Sequence, residues 1–145
     1  MYSTGTIMAP KHLRIALDEI GTKEVSLPHK ENPRIIEYHS ATTLQSKEDE
    51  VPWCSAFVSW CLEQAGIKST KSAWAKSYLK WSTPLIRPEI GCVMVFDRGG
   101  GKGHVTFYVG ENSEYYFCLG GNQNDSVCVS MYLKSKAISF RKVGA

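Results

Sequence analysis

Long apolar runs are missing from this chain. None of its 145 residues belongs to a stretch approaching the about 20 needed to span a bilayer, which argues against membrane insertion. The opening residues, Met1-Tyr2-Ser3-Thr4-Gly5-Thr6-Ile7-Met8, lack the basic and apolar regions of a secretory signal. Synthesis in the cytoplasm is therefore expected, and any destination outside requires another exit route. A strong charge of one sign is missing too: a net charge of +3 on scattered lysines is too mild to point to nucleic acid. No cysteines pair as C-x-x-C, and five is an odd number. Both facts disfavour a zinc site or a disulfide framework and leave room for one reactive thiol. The histidines are too scattered for a metal cluster, so neither metal nor cofactor is expected. Without internal repeats or low-complexity linkers, the chain reads as a loose leader over residues 1–9 and a single domain over 10–145.

What is present is an ordinary globular composition, 43% hydrophobic and 21% charged, arranged in two halves. The first half is helix-patterned. Pro10 opens a helix with Leu13, Ala16, Leu17 and Ile20 on one stripe and Gly21 as its stop. Asn32-Pro33 is an N-cap and first-turn pair for a short helix to about His39, burying Ile35 and Ile36. After a polar, acidic stretch to Val51, a third helix from about Trp53 to Gln64 carries Trp53, Ala56, Phe57, Trp60 and Cys61 on a wide apolar stripe. A fourth is expected over residues 72–81. From Gly91 the pattern is that of strands: 92–96, 104–109 and 115–119, with weaker candidates at 127–129 and 137–141. Helices first and antiparallel strands after make an α+β domain.

Cys54 falls in the first turn of the third helix, where unsatisfied N–H groups and the helix dipole favour a thiolate. Such a placement, with a nearby imidazole, can lower a cysteine pKa from about 8.5 into the range of roughly 3.5–7.5, and the same N–H groups are donors for an oxyanion. The competing reading is a small buried hydrophobe, which fits Cys61, Cys92, Cys118 and Cys128 well. His12, His29 and His39 read as surface or capping residues. His104 opens a strand after the glycine-rich segment Arg98-Gly99-Gly100-Gly101-Lys102-Gly103 and shares a face with Thr106 and Tyr108. If the strands from His104 and to Leu119 form a hairpin, residues whose numbers sum to about 223–225 face each other. His104 then faces 119–121, within reach of Asn122, whose amide would orient the imidazole; Gln123 and Asp125 are alternatives.

Trp53-Cys54-Ser55-Ala56-Phe57-Val58 resembles the D-C-S-G-[FL]-V signature of NlpC/P60 cysteine peptidases and the related CHAP amidases, and Gly103-His104-Val105 resembles their second motif. Ile20-Gly21-Thr22-Lys23-Glu24, Asn32-Pro33-Arg34-Ile35 and Leu119-Gly120-Gly121-Asn122-Gln123 are similar to hallmarks of a group of small bacterial and phage members. The resemblance covers nearly all of residues 10–142. It implies a papain-like α+β fold and hydrolysis of an amide bond in peptidoglycan, with Cys54 as nucleophile, His104 as general base and then acid, and Asn122 as the orienting residue. Three departures stand out. Trp53 replaces the common Asp, Gly91-Cys92 replaces Gly-Asp, and Gly120-Gly121-Asn122 stands where many CHAP domains have Glu-x-Asn, so a carboxylate role there is lost.

On this reading Trp53, Ser55, Trp74, Tyr108 and Tyr116 line the substrate groove, although aromatics at such spacings are commonly core. The substrate is the peptidoglycan stem peptide, cut by a monomer in the periplasm or a target cell. Without a signal peptide, a phage endolysin or an interbacterial toxin fits, the latter with a secretion-system component or an immunity protein as partner. Two other classes compete: a wall- or partner-binding module that has kept the fold without catalysis, and an intracellular cysteine hydrolase or acyltransferase.

Overall fold

The computed structural model describes residues 9–25, 31–43 and 52–144. Residues 1–8 of the expected leader, His29 and the end of the acidic stretch before Pro52 lie outside the described residues.

Three helices cover one face of a sheet. Helix α1 (Lys11–Asp18) buries His12, Leu13 and Ala16, whereas Leu17 and Ile20 are exposed. The expected stripe is thus rotated by about one position, and His12 is a core residue rather than a surface one. Its ring packs on Phe107 at 5.1 Å, and its Nε2 lies 2.7 Å from the Gly91 carbonyl oxygen. Helix α2 (Pro33–His39) starts as the sequence predicts, with the Asn32 side chain accepting the Arg34 N–H. It buries Ile35, Tyr38 and also His39, which is therefore not a surface cap. Helix α3 (Cys54–Gln64) is enclosed at every position from Cys54 to Leu62 and packs on the sheet, with α1 and α2 against it. The expected fourth helix is a 3-10 helix over Ala75–Lys80. Side chains claim the groups that an earlier start would need: Ser55 Oγ donates to the Ser72 carbonyl, and Ser72 Oγ accepts the Trp74 N–H.

The sheet comprises β1 (Val93–Gly99), β2 (Lys102–Glu111), β3 (Tyr115–Gln123), β4 (Ser126–Leu133) and β5 (Ala137–Arg141), in the order β4-β3-β2-β1-β5 and antiparallel throughout. All five expected strands are present; the two weaker candidates are β4 and β5. In β2 and β3, Phe107 pairs with Leu119 and Tyr108 with Cys118, one place beyond the expected register. The sheet is strongly curled. Rings on β1 and β4, which would lie about 14 Å apart across three spacings of a flat sheet, meet at 4.9 Å (Phe96 and Tyr132). Tyr116 of β3 likewise meets Phe140 of β5 at 5.8 Å.

Curling gives the sheet two unlike faces. Val93, Val95, Val105, Phe107, Leu119 and Val127 join the helices in the main core. Cys92, Met94, Phe96, Tyr108 and Cys118 line the inner trough, with Tyr116, Tyr132 and Phe140 packed against them. No described helix is long and apolar enough to cross a membrane.

Candidate active site

The site forms where β3 parts from β2. Their ladder ends at Phe107–Leu119, and beyond it the Val105 N–H faces Cys54 and favours its thiolate form. Cys54 therefore enters the sheet from the helix side beside the residue that follows His104. Burial raises the thiol pKa. The Val105 N–H, the charge of Arg98 and the N–H groups of Ser55 and Cys54 act in the opposite direction without prevailing. The helix start does contribute as the sequence predicts, but desolvation outweighs it, so the expected net lowering does not occur.

His104 is wholly enclosed. Its Nε2 lies 2.9 Å from Gln123 Oε1 and 3.1 Å from the Tyr132 hydroxyl, and the Tyr132 ring sits 5.2 Å away. The orientation of the Gln123 amide is fixed independently. Its Nε2 donates to the carbonyls of Cys118 at 3.2 Å and Cys128 at 2.7 Å, and its Oε1 accepts from Thr106 Oγ1 at 3.1 Å. The amide oxygen thus faces the imidazole, so the ring proton belongs on His104 Nε2. Nδ1 is then bare; it is buried and has no partner among the described residues. Burial holds the imidazole pKa down to about 4, the Gln123 bond raising it and Arg98 lowering it further. The resting pair is accordingly a neutral thiol and a neutral imidazole, with no hydrogen bond joining them.

The amide on the imidazole is that of Gln123, an alternative to the expected Asn122. A β-bulge makes the difference. Gly120 pairs with Cys128, but Gln123 pairs with Ser126, which leaves one extra residue on β3. Asn122 takes it up at a φ of 57° and Gln123 turns onto the face that alternation assigns to Asn122. Two glycines make room. A Cβ at Gly120 would lie 2.6 Å from Gln123 Oε1 and 2.4 Å from Thr106 Oγ1, and one at Gly121 would lie 2.6 Å from the Trp53 ring. Asp125 lies beyond the bulge at the exposed turn into β4.

The five expected groove residues do not form one wall. Trp53 is buried, donating to Glu24 at 2.7 Å, and Ser55 is held by the Ser72 carbonyl. Tyr108 and Tyr116 pack edge to face in the trough, 6.0 Å apart, while Trp74 is exposed. Two residues to which the sequence gives no role also bear on the pair. Tyr132 arrives from edge strand β4 because the sheet curls, and Arg98 belongs to a bulge in β1. A cleft of about 510 Å³ lined by Arg98, Asn122, Gln123, Asn124, Ser130 and Tyr132, among others, opens beside them. Among the described residues no three of His, Cys, Asp and Glu converge as metal ligands do.

The CHAP domain family matches residues 46–122, 77 of the 145 in the chain. No curated protein and no solved structure gives a significant match.

Proposed function

The chain belongs to the CHAP family of cysteine- and histidine-dependent amidases and peptidases, and on that premise we propose that it cleaves an amide bond of the peptidoglycan stem peptide through a thioester on Cys54. One observation carries this reading. The Gln123 amide, pinned by two carbonyls, holds the Nε2–H tautomer of His104 and leaves Nδ1 as a bare base, while the N–H of the next strand residue, Val105, favours a thiolate on Cys54. Residues 10–145 act in this proposal as one catalytic domain.

The chemistry is acyl transfer in two steps. His104 Nδ1 takes the thiol proton, and the Cys54 sulfur attacks the carbonyl carbon. The oxyanion lies toward the N–H groups at the start of α3, including that of Cys54. The imidazolium gives its proton to the departing amine as the C–N bond breaks, leaving a thioester. A water, deprotonated at the same nitrogen, then releases the acid and restores the thiol. Gln123 is the orienting third residue in this scheme, in the role the sequence reading gave to Asn122. The thiol and imidazole must close on each other when substrate binds, as catalytic contacts often do only in the complex.

The protein works as a monomer on the wall, delivered by phage lysis or by injection as an interbacterial toxin; in the latter case a secretion-system component and an immunity protein are its partners. Incubation with purified sacculi tests the reading. Soluble fragments with new amine ends are expected, identified by mass spectrometry, and Cys54→Ala should lower their release at least about 10³-fold without loss of fold. Co-sedimentation with sacculi and no release would replace hydrolysis with the wall-binding reading.

A further inference from the structure

His104 stands on β2 between two bulges, one on each neighbouring strand. The bulge on β3 delivers Gln123. The bulge on β1 lies between the pairs Asp97–Gly103 and Gly99–Lys102 and leaves Arg98 as the unpaired residue. Bulges re-aim side chains beside active sites, and this one points to a use for a cation. Arg98 is exposed and lines both the 510 Å³ cleft next to Gln123 and a neighbouring one of about 670 Å³ on the other side of Tyr132. Among the described residues it is the only charged one lining the first of these. The adjacent carboxylate does not neutralise it: Asp97 receives Lys76 Nζ at 3.2 Å and the Gly99 N–H at 3.1 Å. Arg98 forms no ion pair among the described residues. Its charge nevertheless reaches Cys54, His104 and Tyr132.

We propose that Arg98 is a specificity residue that binds a substrate carboxylate next to the scissile amide, so that peptides with a free acid there are preferred over their amidated counterparts. This rests on the hydrolase reading above. A planar guanidinium grips a carboxylate through two parallel N–H bonds and discriminates strongly against a carboxamide, which offers one oxygen and a competing donor. The same contact acts on the pair in two opposing ways: pairing Arg98 with an anion eases a positive charge on His104 and withdraws the support its charge gives a Cys54 thiolate.

The probes are L-Ala-γ-D-Glu-L-Lys-D-Ala amide and the same peptide with the glutamate α-carboxyl also amidated, which differ in that one group. Calorimetric titration into Cys54→Ala protein should give at least about tenfold tighter binding of the free acid. In Cys54→Ala/Arg98→Gln the preference should fall to within about twofold. Equal binding of the two peptides, no binding of either, or a preference that survives Arg98→Gln would overturn the proposal. Hydrolysis by the unmodified protein reads the underlying activity separately. Cleavage of both peptides without preference removes the role of Arg98 and keeps the hydrolase. Selective binding without cleavage of peptide or sacculus keeps Arg98 as a carboxylate site and removes the hydrolase.

Discussion

The two faces of the curled sheet are built from alternate residues of the same strands, yet they answer to different rules. On the helix face, Val95, Val105, Phe107 and Leu119 meet Phe57 and Val58 of α3 in a mainly hydrocarbon core, where volume is what must be conserved. In the trough, Thr106, His104 and Gln123 form a polar chain among Phe96, Tyr108 and Tyr132. There each buried donor or acceptor needs its partner, because an unmet one costs about 1–3 kcal/mol. Along β2 the odd residues fill the core and the even ones build the polar chain, and Cys54 reaches across, from the helix-face core to the residue that follows His104.

Substitutions on either face test that separation. Phe57→Ala should have the largest effect on stability, lowering it by about 3–5 kcal/mol in urea denaturation. Activity per folded molecule should change little, and a proportionate loss of specific activity below the transition would mean that the faces are coupled. Acid should act through the trough. Because His104 titrates at about 4 in the fold against 6.5 for the free side chain, the unfolded chain holds a proton between those values that the folded one lacks. Stability is therefore full above about pH 6.5 and declines as the pH falls toward 4, by at most about 3 kcal/mol. His104→Gln should flatten that decline, and His12, whose pKa burial also lowers, should keep a smaller slope. An unchanged slope in the variant would show that His104 is not what acid attacks. The smallest energy belongs to the amide: Gln123→Ala should cut turnover about 10²-fold, equivalent to roughly 2.7 kcal/mol, while Asn122→Ala should stay within about threefold. The reverse ranking would return the orienting role to Asn122.

How much of this was legible depended on the range over which each feature is determined. Asn32-Pro33 sets the start of α2 within a few residues, and α3 begins and ends within a residue of its expected bounds. Cys54 at the helix start and His104 near the start of β2 follow from equally local patterns. The choice between Asn122 and Gln123 did not, because one inserted residue reverses the alternation of a strand. A Gly-Gly-Asn run, rich in residues that tolerate positive φ, was the available signal for a bulge. The net direction of the Cys54 pKa is not legible in the sequence, because the helix dipole is a local property, whereas desolvation depends on what the rest of the chain packs around the thiol. Tyr132 was invisible for a similar reason: it reaches His104 only through the accumulated curl of four strands. His12 and His39 looked like surface residues because polarity alone does not report the cavity that a fold provides.

The adjacent glycines of β3 carry a consequence for how this protein can diversify. Gly121 lies against the Trp53 ring, next to Cys54, and Gly120 lies against the Gln123 amide that meets His104. The gap between helix and polar chain is thus one bare backbone thick and works as a gauge block, with no rotamer that could loosen it. The clefts around Arg98 and Tyr132 can be redrawn without touching this spacing, whereas a side chain at Gly121 displaces the Trp53 ring beside Cys54 and one at Gly120 displaces the Gln123 amide beside His104.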